Sequence, residues 1–252
     1  VTPGDGVVWI TGASSGIGRE MARQMAADGW TVWATGRNAA ALDELAAGSA
    51  GRIVAAPGDV TDAAAMRDVV ERIEASGRPL AMAVLNAGIY IPVTAEDLTV
   101  EAFDRSVDVN LKGTVNGLVP ALAAMRRNGR GQLVVVSSVA GYGGLPTSAA
   151  YGATKAGLTN LAESLKFDLD RAGILIQVVH PGFVETPATD VNPFPMPFIV
   201  KVDEAARRIR DGLRRTSFEI TFPKRFTFLL KALNLLPYPL YFALVGRGTG
   251  KR

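Results

Sequence analysis

The chain has 252 residues, 48% of them hydrophobic and 20% charged, enough for one substantial core. It has no cysteine and one histidine, His180, which excludes disulfides, thiolate metal sites, cysteine nucleophiles and polyhistidine metal centres; any Ser-His-Asp triad would have to use His180. The net charge of +3 hides an asymmetry: residues 201–252 carry twelve Lys/Arg against four Asp/Glu, an excess of +8 beside −5 for 1–200, which suits either an anionic partner at that end or a solvated face.

The opening VTPGDGVVWITG lacks a basic start and an apolar run before a small-residue cleavage site. No signal peptide is expected there, and the expected compartment is the cytoplasm. From there, strand-like runs alternate with helix-like stretches. Strands are expected at 6–11, 30–35, 52–57, 80–86, 131–138, 174–180 and 217–222. Helices are expected at about 16–27, 39–47, 62–75, 101–127 and 151–171. The strands are mostly continuous β-branched runs, as in strands buried on both faces. Repeated alternation with right-handed crossovers predicts an α/β fold: one Rossmann-like, doubly wound parallel sheet with helices on both faces. No linker, repeat or low-complexity tract divides the chain, so residues 1–222 are expected to form one domain, with 223–252 as a helical apolar extension of it.

The sequence VVWITGASSGIGRE places Gly12, Gly16 and Gly18 between the first strand and first helix. Glycines there permit a tight turn and close backbone approach, and the helix N-terminus offers N–H groups to a pyrophosphate. Ser14 and Ser15 add hydroxyls, with Ile17 between the glycines. The second strand ends ATGRN, with Arg37 and no acid. A guanidinium pairs with a 2′-phosphate that a carboxylate would repel, so NADP is favoured over NAD. Arg19 could assist or could face solvent.

Tyr151 and Lys155 lie four apart at the start of the helix YGATKAGLTNLAESL, on one face. A nearby ammonium favours the phenolate and lowers the phenol's pKa, making the pair a candidate general acid/base. A serine at the end of the strand QLVVVSS can orient a substrate oxygen; strand alternation leaves Ser137 and Ser138 both open. The stretch Asn86, Ala87, Gly88 ends another strand, and Asn110 is a polar residue inside a predicted helix, able to bend it or anchor a water. His180, before Pro181, reads as structural.

The stretches TGASSGIG (11–18), GDV (58–60), NAG (86–88), VDVNLKG (107–113), VVVSSVAG (134–141), YGATK (151–155) and HPGFVETP (180–187) together resemble the short-chain dehydrogenase/reductase family. The resemblance implies a catalytic tetrad of Asn110, Ser138, Tyr151 and Lys155, with Ser138 preferred over Ser137. It places the three glycines at the cofactor pyrophosphate, Asp59 and Val60 near adenine, and Asn86 with Ala87 and Gly88 near a ribose. Lys155 would hold the nicotinamide ribose; Pro181, Gly182, Val184 and Thr186 would shape the nicotinamide pocket. Implied is hydride transfer between NADP(H) and a carbonyl or secondary alcohol, in a homodimer or homotetramer.

The segment FTFLLKALNLLPYPLYFALV (226–245) is apolar apart from Lys231, and Lys224, Arg225, Arg247, Lys251 and Arg252 flank it. It could pack on the body or a second subunit, lie in an anionic membrane interface, or span a bilayer, although Pro237 and Pro239 break a helix. With ATDVNPFPMPFIV (188–200), which offers Phe194, Met196, Phe198 and Ile199, it suggests a lipophilic substrate. The alternatives are a 3-oxoacyl-thioester reductase and a catalytically silent cofactor-binding scaffold. No recognition motif accompanies the basic end, so no nucleic-acid partner is expected.

Overall fold

The structure is a computed structural model that describes residues 1–187, 189 and 196–250. Seven parallel strands form one sheet: β1 (Val7–Thr11), β2 (Thr31–Thr35), β3 (Ile53–Ala55), β4 (Leu80–Leu85), β5 (Gly131–Val136), β6 (Ile174–Pro181) and β7 (Glu219–Phe222). Their spatial order is β3-β2-β1-β4-β5-β6-β7. The order reverses at β1, and in such sheets ligands bind beyond the strand C-termini at that reversal.

Successive side chains of a strand point to opposite faces. In β1, Val8 and Ile10 enter one core, against Met21, Ala22 and Met25 of α1 (Gly16–Ala27), Leu42 and Leu45 of α2 (Ala39–Ala47), and Ile209 and Leu213 of α7 (Val202–Leu213). Val7 and Trp9 enter the other, against α3 (Ala63–Ala75), α5 (Gly113–Arg127) and α6 (Ala149–Arg171). The strands are therefore apolar on both faces, as their unbroken β-branched runs require. Local signals set the helix starts: Asn38 accepts from the Ala41 N–H at 3.1 Å, and Asp62 from the Ala64 N–H at 2.8 Å.

The expected continuous helix over 101–127 is instead three pieces: α4 (Val100–Ser106), a π-helical stretch Val107–Lys112, and α5. Asn110, fully buried, lies in the π stretch, and the Thr114 hydroxyl donates to its carbonyl at 2.7 Å. Such widened turns arise where a side chain competes for the helical ladder.

The tail folds as two helices, α8 (Lys224–Asn234) and α9 (Tyr238–Thr249), with Pro237 as the N-cap of the second. The twenty-residue apolar segment is thus divided, and among the described residues no helix is long and apolar enough to cross a membrane. Lys251, Arg252 and Phe194 lie outside the described residues.

Candidate active site

A cavity of about 1350 Å³ runs along the C-terminal ends of the strands. At one end its wall is backbone and hydroxyl: Gly12, Ser14, Ser15, Gly16 and Ile17 from the β1–α1 turn, then Arg37 after β2 and Asp59 with Val60 after β3. Gly12 and Gly16 adopt left-handed φ values of 69° and 53°. A Cβ on Gly12 would stand 2.8 Å from the Ala87 Cα. Gly18, expected beside the pyrophosphate, does not line the cavity. It lies beneath the turn, where a Cβ would meet the Gly12 carbonyl at 2.3 Å, so its task is close packing. Ser15, the N-cap of α1, makes no side-chain cap, and the first turn carries no acid. The helix N–H groups and dipole are thus unspent at the cavity wall.

Asn86 lines the cavity but turns its amide inward, donating to the Thr11 carbonyl at 3.0 Å, while the Thr11 hydroxyl accepts from the Asn86 and Ala87 N–H groups. It ties β4 to the glycine turn. Arg19, a candidate for the 2′-phosphate, is instead paired with Glu44 at 2.8 Å and does not line the cavity. Arg37 lines it, with Asp59 near enough for its charge to help hold that carboxyl below the usual range, behind the larger effect of the Thr61 N–H.

Midway along the cavity stand Ser138, Tyr151 and Lys155. The Tyr151 hydroxyl faces Ser138 closely enough for the serine hydroxyl to favour the phenolate, and the Ser138 Oγ accepts from the Ala140 N–H at 3.2 Å. Ser137 points the other way and donates to the Lys155 carbonyl at 2.8 Å, so of the two serines Ser138 meets Tyr151. The Lys155 ammonium is buried, donates to the Val136 carbonyl at 2.8 Å, and lies 5.6 Å from the Tyr151 ring centroid. The electrostatics correct the expectation of a lowered phenol pKa. Burial pushes Tyr151 up to about 12, against the downward pull of the nearby Ser138 hydroxyl, and burial pushes Lys155 down to about 8. Desolvation disfavours both charged forms.

Asn110 does not line the cavity. Its amide accepts from the Ile89 N–H at 2.7 Å and donates to the Ile89 carbonyl at 2.9 Å and to Thr154 at 3.2 Å. It pins the chain after β4 to α6 one residue before Lys155. A Cβ on Gly88 would stand 3.2 Å from the Asn110 Oδ1 and 3.4 Å from the Lys155 Nζ, so only glycine fits between them comfortably.

Pro181, the last residue of β6, and Gly182, Val184 and Thr186 after it all line the cavity. Beyond them the wall becomes apolar. Phe226 of α8 stacks on Phe183 at 5.6 Å and on Phe198 at 5.9 Å, and Leu229, Leu230 and Leu233 of α8 with Leu244 and Val245 of α9 complete the enclosure. Met196 also lines it, whereas Ile199 does not.

A profile of the short chain dehydrogenase family matches residues 6–193. An uncharacterized oxidoreductase of Myxococcus xanthus is 36% identical over 241 residues, 94% of this chain and 95% of its own. The chain belongs to the short-chain dehydrogenase/reductase family.

It is accordingly an NAD(P)-dependent oxidoreductase acting on alcohol or carbonyl groups. Among solved relatives, a 3-ketoacyl-(acyl-carrier-protein) reductase from Brucella melitensis complexed with NADH is 26% identical with a TM-score of 0.79, covering 86% of this chain and 96% of its own. A short-chain dehydrogenase from Sphingobium yanoikuyae in complex with NADPH is 27% identical with a TM-score of 0.79, covering 90% and 93%. The residues present fit a dinucleotide: the glycine cradle that a Cβ would fill and the uncapped N-terminus of α1 suit a pyrophosphate.

Several residues at the site escaped the sequence reading. Tyr90, just after the NAG stretch, packs edge-on to Tyr151 at 5.1 Å and hydrogen-bonds Thr147. His180 is buried between the Thr159 hydroxyl at 3.0 Å and Glu219 at 2.9 Å. Glu219 also accepts from Tyr142 at 2.6 Å and pairs with Lys231 of α8. Together with the contacts of Thr159 and Ser137 to the Lys155 carbonyl, this network runs from α6 to the tail. His180, Ser137 and Lys231 each stood out singly in the sequence, but their linkage through Glu219, Tyr142 and Thr159 joins residues distant in the chain.

Proposed function

We propose that the protein is an NADPH-preferring reductase of lipophilic carbonyl compounds, with Asn110, Ser138, Tyr151 and Lys155 as its catalytic tetrad. The observation that carries this reading is the continuity of the cavity, from Arg37 and the glycine turn to a wall of α8 and α9 side chains. Arg37, at the end of a second strand with no acid, suits a 2′-phosphate. Gly12, Gly16 and the N-terminus of α1 would hold the pyrophosphate, Asp59 and Val60 the adenine side, and Pro181, Gly182, Val184 and Thr186 the nicotinamide side.

When bound, the nicotinamide supplies the hydride. Tyr151 stays protonated at neutral pH because burial raises its pKa to about 12, so it serves as the acid that protonates the carbonyl oxygen. Ser138, beside the same phenol in the cavity wall, orients that oxygen. Lys155, charged below about pH 8, stabilises the phenolate left behind and would hold the nicotinamide ribose. Asn110 is the positioning residue: its contacts to Ile89 and Thr154 fix α6 against the chain after β4. The product is the alcohol.

A second reading, a 3-oxoacyl-thioester reductase, is favoured by the 3-ketoacyl-(acyl-carrier-protein) reductase activity of the Brucella relative and by exposed Lys224 and Arg225. We also assign residues 1–222 to the catalytic domain and 223–252 to an extension covering its cleft. Exposed Val119 on α5 and Phe167 on α6 suit assembly into a homodimer or homotetramer. The test is NADPH and NADH oxidation over ketones of increasing chain length and over acyl thioesters. NADPH use with efficiency rising along the free ketones supports the proposal. Turnover confined to small polar carbonyls overturns the substrate class, and preference for thioesters moves it to the second reading.

A further inference from the structure

We infer that the outward face of α8 and α9 seats the protein on an anionic lipid surface, with the mouth of the cleft facing the bilayer. The inference rests on reading these helices as the apolar cover of the cleft. A helix packed on a globular body turns an apolar stripe inward and a polar face to water. In α8 the inward stripe is Phe226, Thr227 and Leu230, all buried, yet the outward face carries Phe228, Leu229 and, just past the helix, Leu235. In α9, Tyr241 and Val245 are buried, while Tyr238, Leu240, Phe242 and Leu244 are exposed, with Tyr238 and Phe242 stacked at 5.8 Å. Among the described residues, seven of the fifteen exposed large apolar side chains fall within 228–244, so exposed apolar surface is concentrated on these two helices.

The charges favour a lipid surface over a second copy of the chain. No Asp or Glu follows Glu219 in the sequence. Lys231 is spent on Glu219, whereas Lys224, Arg225 and Arg247 are exposed and form no ion pair among the described residues. Two such patches face to face would oppose like charges with nothing to neutralise them. An anionic headgroup layer neutralises the basic rim while the aromatic and leucine side chains enter the acyl boundary. With no helix of spanning length among the described residues, the contact is peripheral. Leu229 and Leu244 are both exposed and cavity-lining, so the patch surrounds an entrance to the cleft. A lipophilic ketone dissolved in the bilayer could enter there without crossing water.

The test is co-sedimentation of the full chain with phosphatidylcholine vesicles, with and without phosphatidylglycerol. Vesicle binding is read without substrate or cofactor, so it can fail separately from the substrate reading. Wild-type protein is expected to bind the phosphatidylglycerol vesicles, and added salt is expected to weaken that binding. The double variant Leu235→Ser/Phe242→Ser, outside the cavity lining, is expected to bind at least about tenfold more weakly per residue changed. Lys224→Glu/Arg225→Glu is expected to lose the preference for anionic vesicles. Both variants should reduce a water-soluble ketone at the wild-type rate, which shows that they fold. Wild-type protein that stays in solution with both vesicle types overturns the inference. So does equal binding to both types, and so does a concentration-dependent dimer that Leu235→Ser/Phe242→Ser dissociates, which would assign the face to a second copy.

Discussion

At the β1 end of the cleft the wall is backbone: Gly12 and Gly16 in left-handed conformations, and the N–H groups of α1 free of a side-chain cap. At the tail end it uses side chains, with Phe226 stacked between Phe183 and Phe198 and a wall of leucines from α8 and α9. The first end tolerates almost no added atom, since a Cβ on Gly18 would lie 2.3 Å from the Gly12 carbonyl. The second end is held by an apolar cluster of three buried residues and by one charged network through Glu219. On the proposed function, the dinucleotide would be held by backbone-defined geometry and the substrate would be selected by side chains of the tail.

The largest expected effect lies where the two ends meet. Tyr151→Phe should lower kcat by about 10² to 10⁴ with dinucleotide binding retained, checked by turnover and by fluorescence titration. Comparable turnover in the variant would remove the proton-transfer role from the phenol.

Arg37→Asp should raise KM for NADPH by at least about tenfold and leave NADH unchanged or improved, checked by steady-state kinetics with both dinucleotides. An equal loss with both would mean that the β1 end does not read the 2′-phosphate.

On the tail side, Phe226→Ala should raise KM for a long-chain ketone by about tenfold while leaving a short one nearly unchanged, since truncation removes apolar wall and not the tetrad. A parallel loss for both would mean that the tail supports the whole site and the comparison is too sharp.

Next come two pH effects. Lys155 is pushed down to about 8, so kcat/KM for reduction should be flat below that pH and fall about tenfold per unit above it, with Tyr151 still protonated. Glu219 is held down at about 2 by hydrogen bonds from His180, Lys231 and Tyr142, which overcome its burial. A depressed carboxylate stabilises the folded state fully above its ordinary pKa of 4.5 and loses that contribution as pH falls toward 2. Thermal melts of wild type and Glu219→Gln should therefore differ at pH 7, by about 5 °C for a loss of about 2 kcal/mol, and converge near pH 2. A constant gap would mean that the carboxylate's charge is not what anchors α8.

The local patterns decided much by themselves. The β-branched runs and their alternation with helices determined a parallel sheet wound on both sides, because strands buried on two faces must be apolar throughout. The glycines of the β1–α1 turn and the four-residue spacing of Tyr151 and Lys155 were legible because each depends on neighbours close in sequence. Only the tertiary structure decided what depends on distant neighbours. It set the burial that moves the Tyr151 and Lys155 pKa values apart. It packed Gly18 under the turn, committed Asn110 to Ile89 and Thr154, and paired Arg19 with Glu44. It also resolved the apolar tail into two helices over the cleft, because His180, Glu219 and Lys231 meet only once β6, β7 and α8 are assembled. Desolvation and charge pairing are properties of assembled surroundings, and a local sequence pattern does not contain them.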